Sequence, residues 1–342
     1  MSTDTTSEHE YDLQPFKYRP LDSPDAIRIV TLEKGASCDA IVCQLIQSER
    51  TADFEALSYE WGSPSNNDPM ILVDGRALKV RTNLHEALLH LRLTDVDRYL
   101  WIDAICIDQA NIPERNHQVS LMSRTYSSAQ RVVVWLGPTR DSSDFAMDAL
   151  TDSTKLKQDI ASFDDSQYAA VLALLERSYW RRVWIQQELY LAREAVFHCG
   201  SRVISESAFV DSFSAVVPYR DGLMRPDPAA YVMMRHRKRD PTKNTLRGWL
   251  YVCLEQKLQC TEPRDIIYGM LGMSNDCQNG EISPDYEKPL SEVFLEAIAI
   301  CKAATYSSGY SVVDFARDLA NRLGISVDER MGRRICKAVA LT

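Results

Sequence analysis

Apolar runs of strand length alternate with stretches of helical spacing from Phe54 to Cys199, and few architectures accommodate that order. Phe54–Tyr59, Tyr99–Ile102, Arg131–Leu136 and Ala195–Cys199 read as strands. Arg131–Leu136 carries three consecutive valines and is stopped by Gly137 and Pro138, as a strand buried on both faces would be. Between the strands, Asn83 and Glu86 form a capping-box pattern ahead of Leu84, Leu88 and Leu91. Asn111, Pro113 and Glu114 mark a second helix start, with Val119, Met122 and Tyr126 at core spacing. Ser143–Leu150 and Ser166–Arg177 also carry helical spacing. Strand, helix, strand in this order predicts a parallel sheet flanked by helices. Such sheets bind ligands beyond the carboxyl ends of their strands. Here those ends carry Ser58–Gly62, Asp103–Cys106 and Gly137.

Other elements are added to this frame. Ala26–Leu32 and Ala40–Ile46 read as a hairpin, and Ile71–Val73 and Ala77–Val80 as a second one around the tight-turn pair Asp74-Gly75. Both hairpins are expected to decorate the sheet. After Gly200 the pattern becomes mainly helical, over Ser205–Val217, Thr245–Leu258, Arg264–Leu271 and Ser291–Ala304, with helical spacing again in Asp314–Thr342. Pro218–Pro228 is irregular and marks a boundary. The expected organisation is a flexible arm over 1–25, an α/β domain over 26–217 and a mainly helical extension over 218–342, read as a truncated form.

A net charge of −9 argues against nucleic acid or an anionic membrane as partner. The basic run Arg235–Arg239 is short enough to be a solvated face. No apolar core of a signal peptide stands in Met1–Asp12, and no run approaches the ~18 apolar residues of a membrane span. Nine scattered cysteines without a CxxC pair fit reduced thiols, so the chain reads as cytoplasmic. Phosphate-loop, dinucleotide, nucleophile-elbow and HExxH motifs are all missing, and the six histidines are dispersed. Neither a metal nor a tightly bound cofactor is expected. Cys106 would need a neighbouring histidine to act as a nucleophile, and the sequence places none there.

The segment Tyr179–Leu189 predicts a helix on which Trp180, Trp184 and Glu188 share one face. No basic residue stands three or four positions from Glu188. A carboxylate inside an apolar stripe is costly unless a distant group or a ligand satisfies it, which makes Glu188 the leading candidate for chemistry.

Taken together, Glu55–Gly62, Tyr99–Gln109 and Trp180–Glu188 resemble, in order and spacing, the three signatures of the fungal heterokaryon incompatibility (HET) domain. Gln118, Met122, Tyr126 and Ala129 match the helix after the second signature. Glu262–Gly272 and Ile282–Tyr286 resemble a segment common in larger HET proteins. Glu60 stands where the family has a small apolar residue, and Val183 where a glycine is frequent. The resemblance implies a protein of non-self recognition and programmed cell death. It also implies a distant similarity to TIR domains, with their flavodoxin-like sheet. Several TIR domains cleave NAD with a glutamate in a Trp-x-x-x-Glu arrangement, a spacing that Trp184 and Glu188 reproduce.

By that resemblance NAD is the substrate to expect. Glu188 would stabilise charge developing on the ribose. Trp61 or Trp184 would stack on a cofactor ring, and Ser58 and Asp103 would position polar groups. Plain structural roles compete. Trp61, Trp101 and Trp184 could be core, Asp103 a strand-end turn or helix-cap carboxylate, and Ser58 a turn hydroxyl. Glu188 could be an ion pair with Arg131, Arg181, Arg182 or another distant arginine. Two further readings stay open: a non-catalytic module that self-associates or binds an incompatibility partner protein, and an inactive member of the family.

Overall fold

The computed structural model describes residues 14–36, 38–50, 53–216, 229–237, 244–302 and 311–340. Its nine strands are β1 (Ala26–Leu32), β2 (Val42–Glu49), β3 (Glu55–Tyr59), β4 (Met70–Val73), β5 (Arg76–Lys79), β6 (Arg98–Trp101), β7 (Val132–Trp135), β8 (Ala195–Cys199) and β9 (Arg202–Ser205). They form one mixed sheet in the order β5-β4-β2-β1-β6-β3-β7-β8-β9. Its centre is the expected parallel set: β3 pairs in parallel with β6 and β7, and β7 with β8. Counted among themselves, these four strands lie in the order 2-1-3-4. Every residue of β3 and β7 is buried, which is why both read as unbroken apolar runs.

The hairpins are not decoration. They extend the sheet beyond β6, through the antiparallel β1–β6 and β1–β2 pairs and the parallel β2–β4 pair. The β4–β5 turn holds Asp74 at φ 51° and Gly75 at φ 72°, the doubly left-handed geometry that such a two-residue hairpin turn requires. Antiparallel β9, a strand that the sequence reading did not identify, adds the opposite edge.

Fourteen α-helices are described: α1 (Thr82–Leu91), α2 (Asp103–Cys106), α3 (Ile112–Ser128), α4 (Ser143–Thr151), α5 (Ser153–Asp159), α6 (Asp165–Leu175), α7 (Ile185–Leu191), α8 (Glu206–Val216), α9 (Ala229–Arg237), α10 (Leu246–Glu255), α11 (Asp265–Leu271), α12 (Leu290–Cys301), α13 (Val312–Arg322) and α14 (Glu329–Ala340). Asn111 caps α3 as expected, its side chain accepting from Glu114 N at 3.2 Å. Asn83 does not cap α1. Its amide instead donates to Glu60 O at 2.5 Å and accepts from Trp135 Nε1 at 3.0 Å, tying the carboxyl ends of β3 and β7 together.

Two apolar clusters divide the molecule. One surrounds the sheet and includes Met233 and Met234 of α9. The other joins Val183 to α10–α14. The sheet's core therefore runs past the expected boundary at 217, and the division falls after α9. Pro218–Pro228 lies outside the described residues, as do 1–13 of the expected arm and the end of the basic run. Residues 14–25 are no loose arm. Pro15 bridges Ala77 on β5, Phe16 packs on the core, and the Pro20 carbonyl accepts from Gln47 Nε2 at 2.8 Å. All nine cysteines are free. Among the described residues no helix is long and apolar enough to cross a membrane, and no cluster of metal-ligating side chains occurs.

Candidate active site

The carboxyl ends of β3 and β6 carry the expected polar residues, and the segment after α6 closes over them. The predicted continuous helix over 179–189 is broken. Ser178–Arg181 forms a 3-10 turn, the chain leaves the helical path at Arg182 and Val183, and α7 begins only at Ile185, with Trp184 as its N-cap. The cause is a long-range backbone pairing. Val183 N donates to Gln259 O at 2.9 Å and Gln259 N to Arg181 O at 2.6 Å, so these backbone groups are not free for helical bonds. Trp180, Trp184 and Glu188 consequently do not share one helical stripe. Trp180 is buried against Phe197 and Phe209 in the core. Trp184 packs between the two apolar clusters.

Glu188, on α7, is 1% exposed. Its Oε2 accepts a short hydrogen bond from the Ser58 hydroxyl, and Tyr179 OH lies 2.7 Å from the same oxygen of Ser58. Because the serine proton points to the carboxylate, the tyrosine donates to the serine. Among the described residues no salt bridge reaches Glu188. Arg131 is engaged with Glu55 and Arg181 with Glu176. Arg182 is the nearby cation. Its guanidinium donates to the Tyr59 carbonyl, and it interacts through charge with Glu188 and Asp103.

Burial dominates the carboxylate's ionisation. Desolvation raises the Glu188 pKa to about 7, against the charge of Arg182 and the Ser58 hydrogen bond, while Asp103 pushes it further up. Asp103 is raised too, mainly by burial, with Arg182, the Trp61 indole and the Ala104 N–H pulling it back. For Arg182, burial works against the charge, but Glu188 and then Asp103 outweigh it and its pKa rises. Burial also holds the hydroxyls of Tyr59, Tyr126 and Tyr179 protonated far into the alkaline range. The site thus gathers two carboxyls and one guanidinium among neutral hydroxyls.

The structure brings together Glu188, Ser58, Asp103 and Trp61. The Trp61 indole donates to both oxygens of Asp103, at 3.1 and 2.9 Å. Trp184 stands apart from this group, with its indole packed against Gly269 of α11. Arg182 is one of three arginines that the sequence left open as partners, and Tyr179 had not been singled out. The signal for Arg182 was its place inside the Trp180–Glu188 motif, and Tyr179 stands immediately before it. Glu60, the departure at the β3 rim, accepts from Ser178 Oγ at 2.5 Å and so fastens the 3-10 turn to the strand end. A carboxylate at neutral pKa, aligned with a hydroxyl and facing a fixed cation, can stabilise positive charge or accept hydrogen bonds from a hydroxylated ligand. At 1% exposure it is closed off from solvent. A depression of about 520 Å³ opens elsewhere, mainly at the amino ends of the parallel strands, around Glu55, Arg98 and Arg131.

Residues 54–188 match the family model of the heterokaryon incompatibility protein (HET). The match begins at the start of β3 and ends at Glu188. "Heterokaryon incompatibility protein 6, OR allele" of Neurospora crassa is 30% identical in an alignment that covers 79% of this chain and 51% of that protein. The chain therefore spans about half the length of this curated relative. No solved structure matches. By the model match, to which the relative's identity adds, the chain carries a heterokaryon incompatibility (HET) domain over 54–188.

Proposed function

We propose that this protein acts in fungal non-self recognition and cell death, and that it does so by TIR-like cleavage of the nicotinamide–ribose bond of NAD. The observation that carries the proposal is the buried Glu188 carboxyl, hydrogen-bonded to Ser58 and without a salt bridge among the described residues, at the carboxyl rim of the parallel strands. The 2-1-3-4 strand order, which begins as flavodoxin-like sheets do, supports the TIR likeness.

The chemistry suits such a group. When the glycosidic bond breaks, its electron pair goes to the pyridinium nitrogen and nicotinamide leaves neutral. Positive charge develops on the ribose, and water then adds to the same carbon and releases a proton. A fixed carboxylate beside the ribose stabilises that charge and accepts from its hydroxyls. Ionised Glu188 takes this part, with Ser58 orienting it. Trp61, held by Asp103, offers a ring face for stacking. No resident cofactor is required, and the setting is the cytoplasm.

The 1% exposure of Glu188 favours a second reading, a module that signals by self-association or by docking an incompatibility partner protein. Incubating the concentrated chain with NAD and measuring released nicotinamide separates the two. Turnover that disappears in Glu188→Gln with the fold intact supports cleavage. Cell killing by Glu188→Gln equal to the parent's would end the enzymatic reading and leave the assembly one.

A further inference from the structure

Helix α7 spans only Ile185–Leu191 and its N-cap, Trp184, makes no side-chain capping bond. A helix this short is not stable by itself, so its position is set by what it is packed and bonded to. At its middle stands the Glu188–Ser58 bond. At its start the Trp184 carbonyl accepts from Gln187 N at 3.0 Å and Glu188 N at 3.1 Å, so Trp184 carries the first turn, Glu188 included.

Trp184 is gripped from the helical unit. Its indole packs against Gly269 of α11 and interacts with Asp265, which opens that helix. The same carboxyl accepts from Tyr286 OH at 2.8 Å. Tyr286 is itself fixed by the sheet domain: Asn116 Oδ1 accepts from its backbone N–H at 3.2 Å, and the Arg115 guanidinium lies 4.2 Å from its ring centre. Close packing backs the grip. A Cβ at Gly269 would lie 3.0 Å from Val183 Cγ1 and 3.5 Å from Trp184 Cε3, and one at Gly272 would lie 2.5 Å from Ser123 Cβ and 2.7 Å from Gln187 Oε1. Asp265, Gly269 and Gly272 are spaced four and three apart, on one face of α11. The motifs Glu262–Gly272 and Ile282–Tyr286, unexplained by the proposed chemistry, thus converge on the first turn of the helix that bears Glu188.

We infer that Asp265 and Tyr286 form a latch on Trp184 through which the helical unit positions Glu188. Asp265 and Tyr286 are positioning residues. The inference rests on reading Glu188 as the functional group; its test does not depend on turnover.

The test compares the full chain with Asp265→Ala, Trp184→Phe and Tyr286→Phe by amide hydrogen exchange and by the carbon-13 titration of the Glu188 carboxyl. Loss of the contact between Trp184 and Asp265 should make the 185–191 amides of Asp265→Ala and Trp184→Phe exchange about tenfold faster. The double variant should be no faster than the faster single one. The Glu188 midpoint should move, while β3 and β7 keep their protection. Tyr286→Phe, the mildest change, should show about a threefold effect and decides the matter if Asp265→Ala does not fold. Unchanged exchange in α7 together with an unmoved Glu188 midpoint would overturn the latch. So would equal loss of protection in β3 and β7, which marks a purely structural joint. Absence of NAD cleavage by the parent would refute the enzymatic reading and leave this readout standing.

Discussion

Glu55 and Glu188 are both buried at the ends of the central parallel strands, one at each rim, and their surroundings treat them in opposite ways. Glu55, at the start of β3, lies between two guanidinium groups. Arg98 Nε is 2.5 Å from Oε2 and Arg131 Nε 2.5 Å from Oε1. Burial raises its pKa, but the hydrogen bonds and charges of Arg98 and then Arg131 outweigh that and hold it below the ordinary value. Glu188, at the carboxyl rim, has a hydroxyl where Glu55 has two cations, and burial wins. One carboxylate is saturated and ties β3 to β6 and to the residue before β7. The other is kept near neutrality with capacity to spare for a ligand. Within one sheet, satisfaction of charge separates a structural acid from a poised one.

The largest way to break this contrast is at Glu55. Glu55→Ala leaves Arg98, 9% exposed, without its counter-charge, and should cost about 3–5 kcal/mol in urea unfolding, the range for removing one partner of a buried pair. A loss below that of Glu188→Ala would mean that the amino-rim triad does not hold the strands.

The second test has the opposite sign. The folded-state pKa of Glu188 stands at about 7 against an ordinary 4.5, so the folded chain binds the proton more tightly than the unfolded one. The stability contributed by this group is complete below pH 4.5 and is lost as the pH rises through 7. Above that the folded state carries a penalty of roughly 3 kcal/mol, at 1.36 kcal/mol per unit. Glu188→Gln should therefore be more stable than the parent at pH 8, by up to that amount, and no different near pH 4.5. Catalysis by the carboxylate runs the other way, rising with pH through the same midpoint. A variant no more stable than the parent at pH 8 would show that Arg182 already satisfies the charge.

The two rims also differ in how much the sequence disclosed. β3 and β7 were legible because strands buried on both faces leave unbroken apolar runs, and the Asp74-Gly75 turn because few residue pairs take two left-handed positions. The carboxyl-rim residues Ser58 and Asp103 could be named from their place at strand ends. The path of the chain that delivers Glu188 to them could not. It depends on Gln259 pairing with Arg181–Val183, a contact across the domain boundary that no local periodicity encodes. The Trp180–Trp184–Glu188 stripe was a true spacing on a helix that tertiary pairing interrupts. Asn83 misled for a similar reason: a good cap residue was drawn off by the Glu60 carbonyl and the Trp135 indole. The Glu55 triad escaped notice because its arginines are 43 and 76 residues away.

The smallest expected effect probes the second acid at the carboxyl rim. Asp103 resembles Glu188 in being raised by burial, but it retains donors in the Trp61 indole and the Ala104 N–H. Trp61→Phe removes the indole donor and keeps an aromatic face. It should cost about 1 kcal/mol in unfolding and push the Asp103 midpoint further up, as loss of a hydrogen bond to the charged form must. If Trp61 serves only to hold Asp103, Trp61→Phe and Trp61→Ala should impair NAD cleavage alike. If its ring stacks on the substrate, Phe should retain most of the turnover and Ala should raise KM more than it lowers kcat, the mark of lost ground-state binding. Equal defects in the two variants would confine Trp61 to the Asp103 bond and leave Glu188 and Ser58 as the groups at this rim that meet a ligand.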